Sequence, residues 1–384
     1  MLIDTVAVIA VLLWIYLIAA RGQFWTASIR DVAWPPAPAN WPSVAVVIPA
    51  RNEASCIGAS VRPLLSQDYQ GPLSVIVVDD DSNDKTAAVA ARVGVQAERQ
   101  LTVMRSRALP SGWTGKLWAL KQGIAVAEGR STPPDYILLT DADIVHAPDT
   151  VAWLVAKAKA GGFVLTSLMA KLRCESLAER SHVPAFVYFF QMVFPFSWVG
   201  RPGSPTAAAA GGCMLIRADA LRICGGIDRV RNALIDDCTL AAMLKSCGPV
   251  WLGLTDRVRS VRPYDRLADV RQMISRSAYA QLGYSPLLLA ATLAGLALVF
   301  VAPVLLALFA HGLAQGLGFA AWLAMALSFQ PMLRFYRLSP LWGVALPATA
   351  LLYACYTLDS AYRHTRRRGG VWKGRVHVNA PSLP

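Results

Sequence analysis

The hydrophobic pattern changes character from segment to segment, and each change marks a different kind of element. Met1 to Ala20 holds a single charge, Asp4, and its apolar run reaches the roughly twenty residues a helix needs to cross a bilayer. A cleaved signal peptide would begin with basic residues and end in a small-residue cleavage site. Here Arg21 and Arg30 follow the apolar run, so a retained transmembrane helix is expected over residues 1–21. The positive-inside rule then places the following domain in the cytosol. Residues 22–42 end in DVAWPPAPANWP, a Pro-rich linker that cannot continue a helix.

From Ser43 the pattern becomes short, fully apolar runs separated by helical patterns: VAVVIP at Val44 to Pro49, SVIVVD at Ser74 to Asp79 and YILLTD at Tyr136 to Asp141. Runs of this length suit strands buried on both faces. Their alternation with helices predicts an α/β fold with a doubly wound, mostly parallel sheet over residues 43–284. Ligands bind such sheets beyond the carboxyl ends of the strands, and each run ends in a polar or acidic cluster, so the clusters should meet in one crevice.

After Tyr284 uncharged runs return at Leu287 to Phe309, Leu313 to Leu333 and Leu341 to Leu358. Residues 285–360 are expected to form two or three transmembrane or interfacial helices, followed by a basic tail over 361–384. Three spans would put that tail outside, against the positive-inside rule. The run Leu313 to Leu333, interrupted by Gly316, Gly318 and Pro331, is the candidate for a re-entrant or interfacial segment.

Composition agrees with part of the chain lying in lipid: 55% of the 384 residues are hydrophobic. The net charge of +13 is concentrated partly in Arg363, Arg366, Arg367, Arg368, Lys373 and Arg375, which suits an anionic membrane face. No zinc-finger spacing or helix-turn-helix pattern accompanies the charge, so no nucleic-acid partner is expected. Seven cysteines without a C-x-x-C pair read as reduced, which fits a reducing compartment.

Four acidic clusters carry the chemistry. PARNEA (Pro49 to Ala54) can offer Arg51 and Glu53 to a nucleotide, or it can be an ordinary strand-to-helix turn. DDDSNDKT (Asp79 to Thr86) places three carboxylates at a strand end, more than the helix start at Ser82 to Lys85 needs for capping. Asp79, Asp80 and Asp81 can accept from a base N–H and ribose hydroxyls. Asp141 and Asp143, one residue apart where a buried strand stops, can grip a hard divalent cation that also binds phosphates. Asp236 and Asp237 either cap a helix or supply a general base, for which Asp237 is the choice. Lys116 can bring a cation to a donor diphosphate, and Gly211 and Gly212 allow close backbone approach to an acceptor or to a strand. The five histidines show no metal spacing and none is assigned to catalysis.

In this order, VVIPARNEA, VVDDDSNDKT, GKLWAL, TDAD, GGCMLIRADAL and IDD resemble the family 2 glycosyltransferases from about Val46 to Leu240. That resemblance implies a nucleotide-diphospho-sugar transferase fold, Mg2+ or Mn2+ as cofactor, and inversion at the anomeric carbon. It also implies nucleoside contacts at Glu53 and Asp79 to Asp81, metal at Asp143 with Asp141 nearby, and the base at Asp237; Pro49 and Asp141 are further candidates for holding the nucleotide sugar. The layout further resembles the hopanoid-associated branch of bacterial membrane glycosyltransferases. The expected enzyme therefore sits in the bacterial inner membrane and uses a nucleotide-diphosphate sugar such as a UDP-sugar with a lipid acceptor, a hopanoid in that branch. Processive relatives carry Gln/Arg-x-x-Arg-Trp before their membrane helices. Here Arg276 can fill the arginine place at the acceptor or product site, while Met273 and Ser277 depart from the pattern, which argues against a polysaccharide synthase. A non-catalytic scaffold is the other alternative, and the intact carboxylates oppose it. The aromatic stretch Phe186 to Trp198 can line the lipid's approach or form a core helix.

Overall fold

The computed structural model describes residues 1–95 and 97–366, and the backbone of 371–372 and 375–376. Most of the expected basic tail, with Arg367, Arg368, Lys373 and the Arg375 side chain, lies outside the described residues. Among the described residues the chain divides into a sheet unit within residues 29–173 and 198–262 and a helical unit of residues 1–28, 174–197 and 263–366.

Among the described residues the main sheet has eight strands, β1 (Val44–Ala50), β2 (Leu73–Asp79), β3 (Gln100–Arg105), β4 (Tyr136–Thr140), β5 (Ile144–His146), β6 (Leu165–Lys171), β7 (Cys213–Arg217) and β8 (Val250–Ser260). Their order is β3-β2-β1-β4-β7-β6-β8-β5. The first four pair in parallel, β7 runs antiparallel to both neighbours, and β6 and β8 are again parallel. The three runs read from the sequence are β1, β2 and β4, and every residue in them is buried, as strands covered on both faces require. One core cluster gathers Val46, Ile48, Val75, Val77, Leu138, Leu154 and Trp153 from the sheet and its covering helices. Helix Gly115–Glu128 lies so close to the sheet that a Cβ at Gly123 would collide with Val47, which accounts for that glycine.

In the helical unit, Leu2–Ala19, Pro286–Phe309 and Gly312–Phe335 are each long and apolar enough to cross a membrane. The run chosen from sequence as the non-spanning segment thus forms one of these three. The remaining run forms the turn Pro340–Gly343 and helix Leu346–Thr365, which is not among the candidate spans of the described residues. That helix carries Asp359, which pairs with Arg271 and Arg363 at 2.7 and 2.9 Å, groups that belong in water or at a headgroup level rather than in hydrocarbon. Helix Leu177–Val193 turns Tyr188 and Phe189 into an aromatic core with Phe24, Phe300, Phe329 and Tyr353.

The cysteine expectation needs correction. Cys224 and Cys247 form a disulfide with Cα atoms 6.5 Å apart. Helices Ala218–Ile223 and Asp236–Lys245 end beside one another, which brings together residues 23 apart that a search for short spacings passes over. Cysteine usage therefore no longer argues for a reducing compartment.

Candidate active site

Strands β1 and β2 end in register, Ala50 beside Asp79, so their loops leave the sheet together. Those loops are tied at many points. Asp80 N–H donates to the Ala50 carbonyl at 2.7 Å, Asn52 N–H to Ser82 Oγ at 3.0 Å, Asn83 N–H to Asn52 Oδ1 at 2.8 Å and Ala54 N–H to Asp84 Oδ2 at 3.1 Å. The Arg51 guanidinium donates to the carbonyls of Asp80 and Asp81, and lies 3.9 Å from the Asp80 carboxylate. Asn52 and Asp81 adopt φ of 52° and 56°, left-handed backbone that the surrounding bonds hold in place. Ser82 donates its hydroxyl to Asp79. The sequence candidates Pro49, Arg51, Glu53 and Asp79 to Asp81 are thus brought together, but with different exposures. Arg51 ties one loop to the other, Asp80 is 1% exposed, and Asp81 faces solvent in a 2.8 Å pair with Arg105.

Beyond β4, the Asp-Ala-Asp segment meets two cations. Lys116 stands in the first turn of helix Gly115–Glu128, whose N-cap Thr114 accepts from Leu117 N–H. Its ammonium lies 3.0 Å from Asp141 Oδ1 and 3.1 Å from Asp236 Oδ2. Burial alone would lower the lysine pKa, but Asp141, Asp236 and Asp237 outweigh it and hold the ammonium charged above its ordinary value. Asp141 is pushed upward by burial, against the pull of Lys116.

Asp236 and Asp237 open helix Asp236–Lys245. Capping does not exhaust the role of Asp237. One oxygen accepts from Cys238 N–H at 2.8 Å, while the other accepts at 2.9 Å from Gly211 N–H, 26 residues away. Burial, then the neighbouring Asp236 charge, raises its pKa to about 6, with Lys116 opposing. A Cβ on Gly211 would lie 3.3 Å from both Asp237 Oδ2 and Lys116 Nζ, closer than side chains normally pack, so this glycine lets the backbone reach the acid. The Gly212 carbonyl accepts from the Thr140 hydroxyl at 2.7 Å, which ties β7 to the end of β4.

Sequence reasoning missed Arg262, which follows β8. Its Nε donates to Asp143 Oδ2 at 2.8 Å and its Nη2 to Glu53 Oε1 at 2.5 Å. Ser260 also donates to Asp143, at 3.2 Å, and the Cys56 thiol donates to Glu53 Oε2 at 3.0 Å. Burial and Glu53 push that thiol up to about 12, so Cys56 is no nucleophile. The available signal is position: Arg262 stands just past a strand end, as Arg51 does. Arg276, the candidate for the acceptor or product site, lies in the helical unit, directly after helix Leu267–Ser275.

The donor set suits Mg2+ or Mn2+. Among the described residues no three or more His, Cys, Asp or Glu side chains form a closed metal site. Two hard carboxylates at a strand end are what such an ion takes from a protein when water and phosphates complete its shell. Lys116 and Arg262 face the acids Glu53, Asp141, Asp143 and Asp236, and Asp237 stands beside Lys116.

The profile of the family described as "Glycosyltransferase like family 2" matches residues 42–277, more than half of the chain. An N-acetylglucosaminyltransferase of Mesorhizobium japonicum is 34% identical over 149 residues, 38% of this chain and 33% of that protein. A beta-monoglucosyldiacylglycerol synthase of Trichormus variabilis is 25% identical over 209 residues, 53% of this chain and 41% of its own length. This chain therefore spans less than half the length of those relatives. A mannosyltransferase from Pyrobaculum calidifontis, solved in complex with GDP-Man and Mn2+, shares the fold with a TM-score of 0.53 at 19% identity, over 94% of this chain and 99% of that one. With the sheet order, the acidic strand ends and the family match in agreement, the chain belongs to glycosyltransferase family 2.

Proposed function

We propose that this chain is a membrane-bound glycosyltransferase that moves a sugar from a nucleotide-diphosphate donor to a lipid acceptor by an inverting displacement. The observation that carries the reading is the Asp237 carboxylate, fixed by the N–H groups of Gly211 and Cys238 beside the Lys116–Asp141 pair. Asp237 takes the proton of the attacking hydroxyl, and its raised pKa makes it a stronger base than an exposed aspartate. Gly211 N–H and Cys238 N–H fix its orientation, and Lys116 keeps positive charge beside the departing group. Held by Asp141 and Asp143, Mg2+ or Mn2+ would supply charge stabilisation to the nucleotide diphosphate. Glu53 and Asp79 to Asp81 hold the nucleoside, with Arg51 keeping their loops in place.

The acceptor class rests on the three apolar helices and on the relative named beta-monoglucosyldiacylglycerol synthase. A hopanoid is the particular lipid, and a UDP-sugar the donor, that the motif resemblance implies. In the topology we propose, Leu2–Ala19, Pro286–Phe309 and Gly312–Phe335 span the bacterial inner membrane. The last two then form a hairpin that returns helix Leu346–Thr365 and the basic tail to the cytosolic side of the catalytic domain. Three spans in all satisfy the positive-inside rule that four would break.

The test uses membranes containing wild type or Asp237→Asn, given radiolabelled UDP- and GDP-sugars and lipid extract. Labelled lipid from wild type alone is expected. Equal labelling by both proteins would sink the base assignment, labelled polymer would establish a processive synthase, and no product with any donor would favour a scaffold.

A further inference from the structure

We propose that Arg262 is a built-in counter-cation of the Asp-Ala-Asp clamp, displaced from Asp143 when a divalent cation binds and then available to the donor's phosphates. The inference rests on the proposed role of Asp143 as a metal ligand. Each clamp carboxylate has its own organic cation: Lys116 stands on Asp141, and Arg262 stands on Asp143 while reaching Glu53 with a second nitrogen. Both carboxylates that Arg262 joins are buried, Asp143 at 9% and Glu53 at 6% exposed, and leaving two such charges unpaired would be costly. The guanidinium fork bridges two acids at once in a way a point charge cannot.

The same geometry makes the pairing reversible. The backbone around Arg262 is fixed, with Val261 N–H on the Asp143 carbonyl at 2.9 Å and Arg262 N–H on Ser260 Oγ at 3.3 Å. Its side chain is 30% exposed, so water reaches the guanidinium. Asp143 keeps the Ser260 hydroxyl when the guanidinium leaves. A divalent cation on Asp143 would repel the adjacent guanidinium strongly, and the diphosphate it brings is the nearest new anion. Metal binding is thereby linked to donor binding, because the arginine released by one is the ligand of the other.

Purified protein in detergent is titrated with Mn2+ alone, reading free Mn2+ by electron paramagnetic resonance, and the titration is repeated with UDP and with GDP. Without nucleotide, Arg262→Gln should bind Mn2+ on the order of tenfold more tightly than wild type, and Arg262→Lys should fall between them. The better of UDP and GDP should strengthen Mn2+ binding in wild type by a larger factor than in Arg262→Gln. Equal or weaker Mn2+ binding by a folded Arg262→Gln overturns the competition, and an equal nucleotide effect in both proteins, or none in wild type, overturns the link to phosphate. Asp143→Asn separates the two readings. If it binds Mn2+ like wild type, the clamp itself is wrong; if it loses Mn2+ while Arg262→Gln gains nothing, only the arginine's role fails.

Discussion

In the loops after β1 and β2, Asp79 and Asp84 are held by hydroxyl and backbone donors, with Asp81 in an exposed pair with Arg105 and Glu53 reaching across to Arg262, whereas after β4 and at the start of helix Asp236–Lys245 the carboxylates face side-chain cations. Ser82 serves Asp79, and Arg51 is spent mostly on carbonyl oxygens. Asp141, Asp143 and Asp236, by contrast, meet Lys116 or Arg262 at 3.1 Å or less. A carboxylate satisfied by backbone and hydroxyl groups has no low-energy alternative, so it forms a rigid frame. A carboxylate satisfied by a flexible cation can exchange it for another. The first corner is therefore suited to shape a nucleoside site, and the second to respond to charge that arrives and departs with substrate.

The largest effect expected falls on the second corner. Asp237→Asn keeps the shape and one of the two bonds from Gly211 N–H and Cys238 N–H but removes the proton acceptor. Lipid glycosylation should drop by roughly 10³-fold with a thermal unfolding profile close to wild type, because general-base catalysis contributes about 10²–10⁴. A drop of only a few fold would transfer the base role elsewhere. The pH profile gives a smaller, directional test. Asp237 acts only when unprotonated, and its pKa is raised to about 6. Activity should accordingly be full above that value and fall as pH drops through about 6, where an unperturbed aspartate would stay active to about pH 4. Asp236→Asn removes the second cause of the rise after burial, so the acidic limb should move to lower pH. A limb that stays in place means that Asp236 does not set it.

The difference between the corners also explains what could be read from sequence. The strands β1, β2 and β4 were legible because all-apolar runs that stop at acids have few other readings, and the acids themselves announced the crevice. The strands beyond β4 are shorter in signal: β7 enters antiparallel between β4 and β6, a reversal that no local pattern records. Arg262 was hidden for a similar reason. Its partners Glu53 and Asp143 lie 209 and 119 residues away, and only the sheet order makes them neighbours. Gly211 was noticed as a place of close approach, yet that it approaches Asp237 follows from where helix Asp236–Lys245 begins. The Cys224–Cys247 bond was missed because two helix ends, and no motif, bring the thiols together.

The first corner's rigidity can be broken by choosing between its two arginines. Arg51 is 8% exposed and bonds two carbonyls, so Arg51→Ala takes a charged donor from buried acceptors and should cost about 2 kcal/mol. It should lower the unfolding temperature of the detergent-solubilised protein and weaken nucleotide-sugar binding along with it. Arg105 pairs with Asp81 at nearly the same distance that joins Arg262 to Asp143, yet 75% of its side chain is exposed. Water and salt screen such a pair, and both side chains lose little when it opens. Arg105→Ala should therefore leave the unfolding temperature unchanged within error. An equal loss for both variants would mean that the Asp81 loop depends on its exposed ion pair as much as on the buried tie. The left-handed backbone at Asp81 would then be held from outside the frame, and the contrast between a fixed corner and an exchangeable one would not survive.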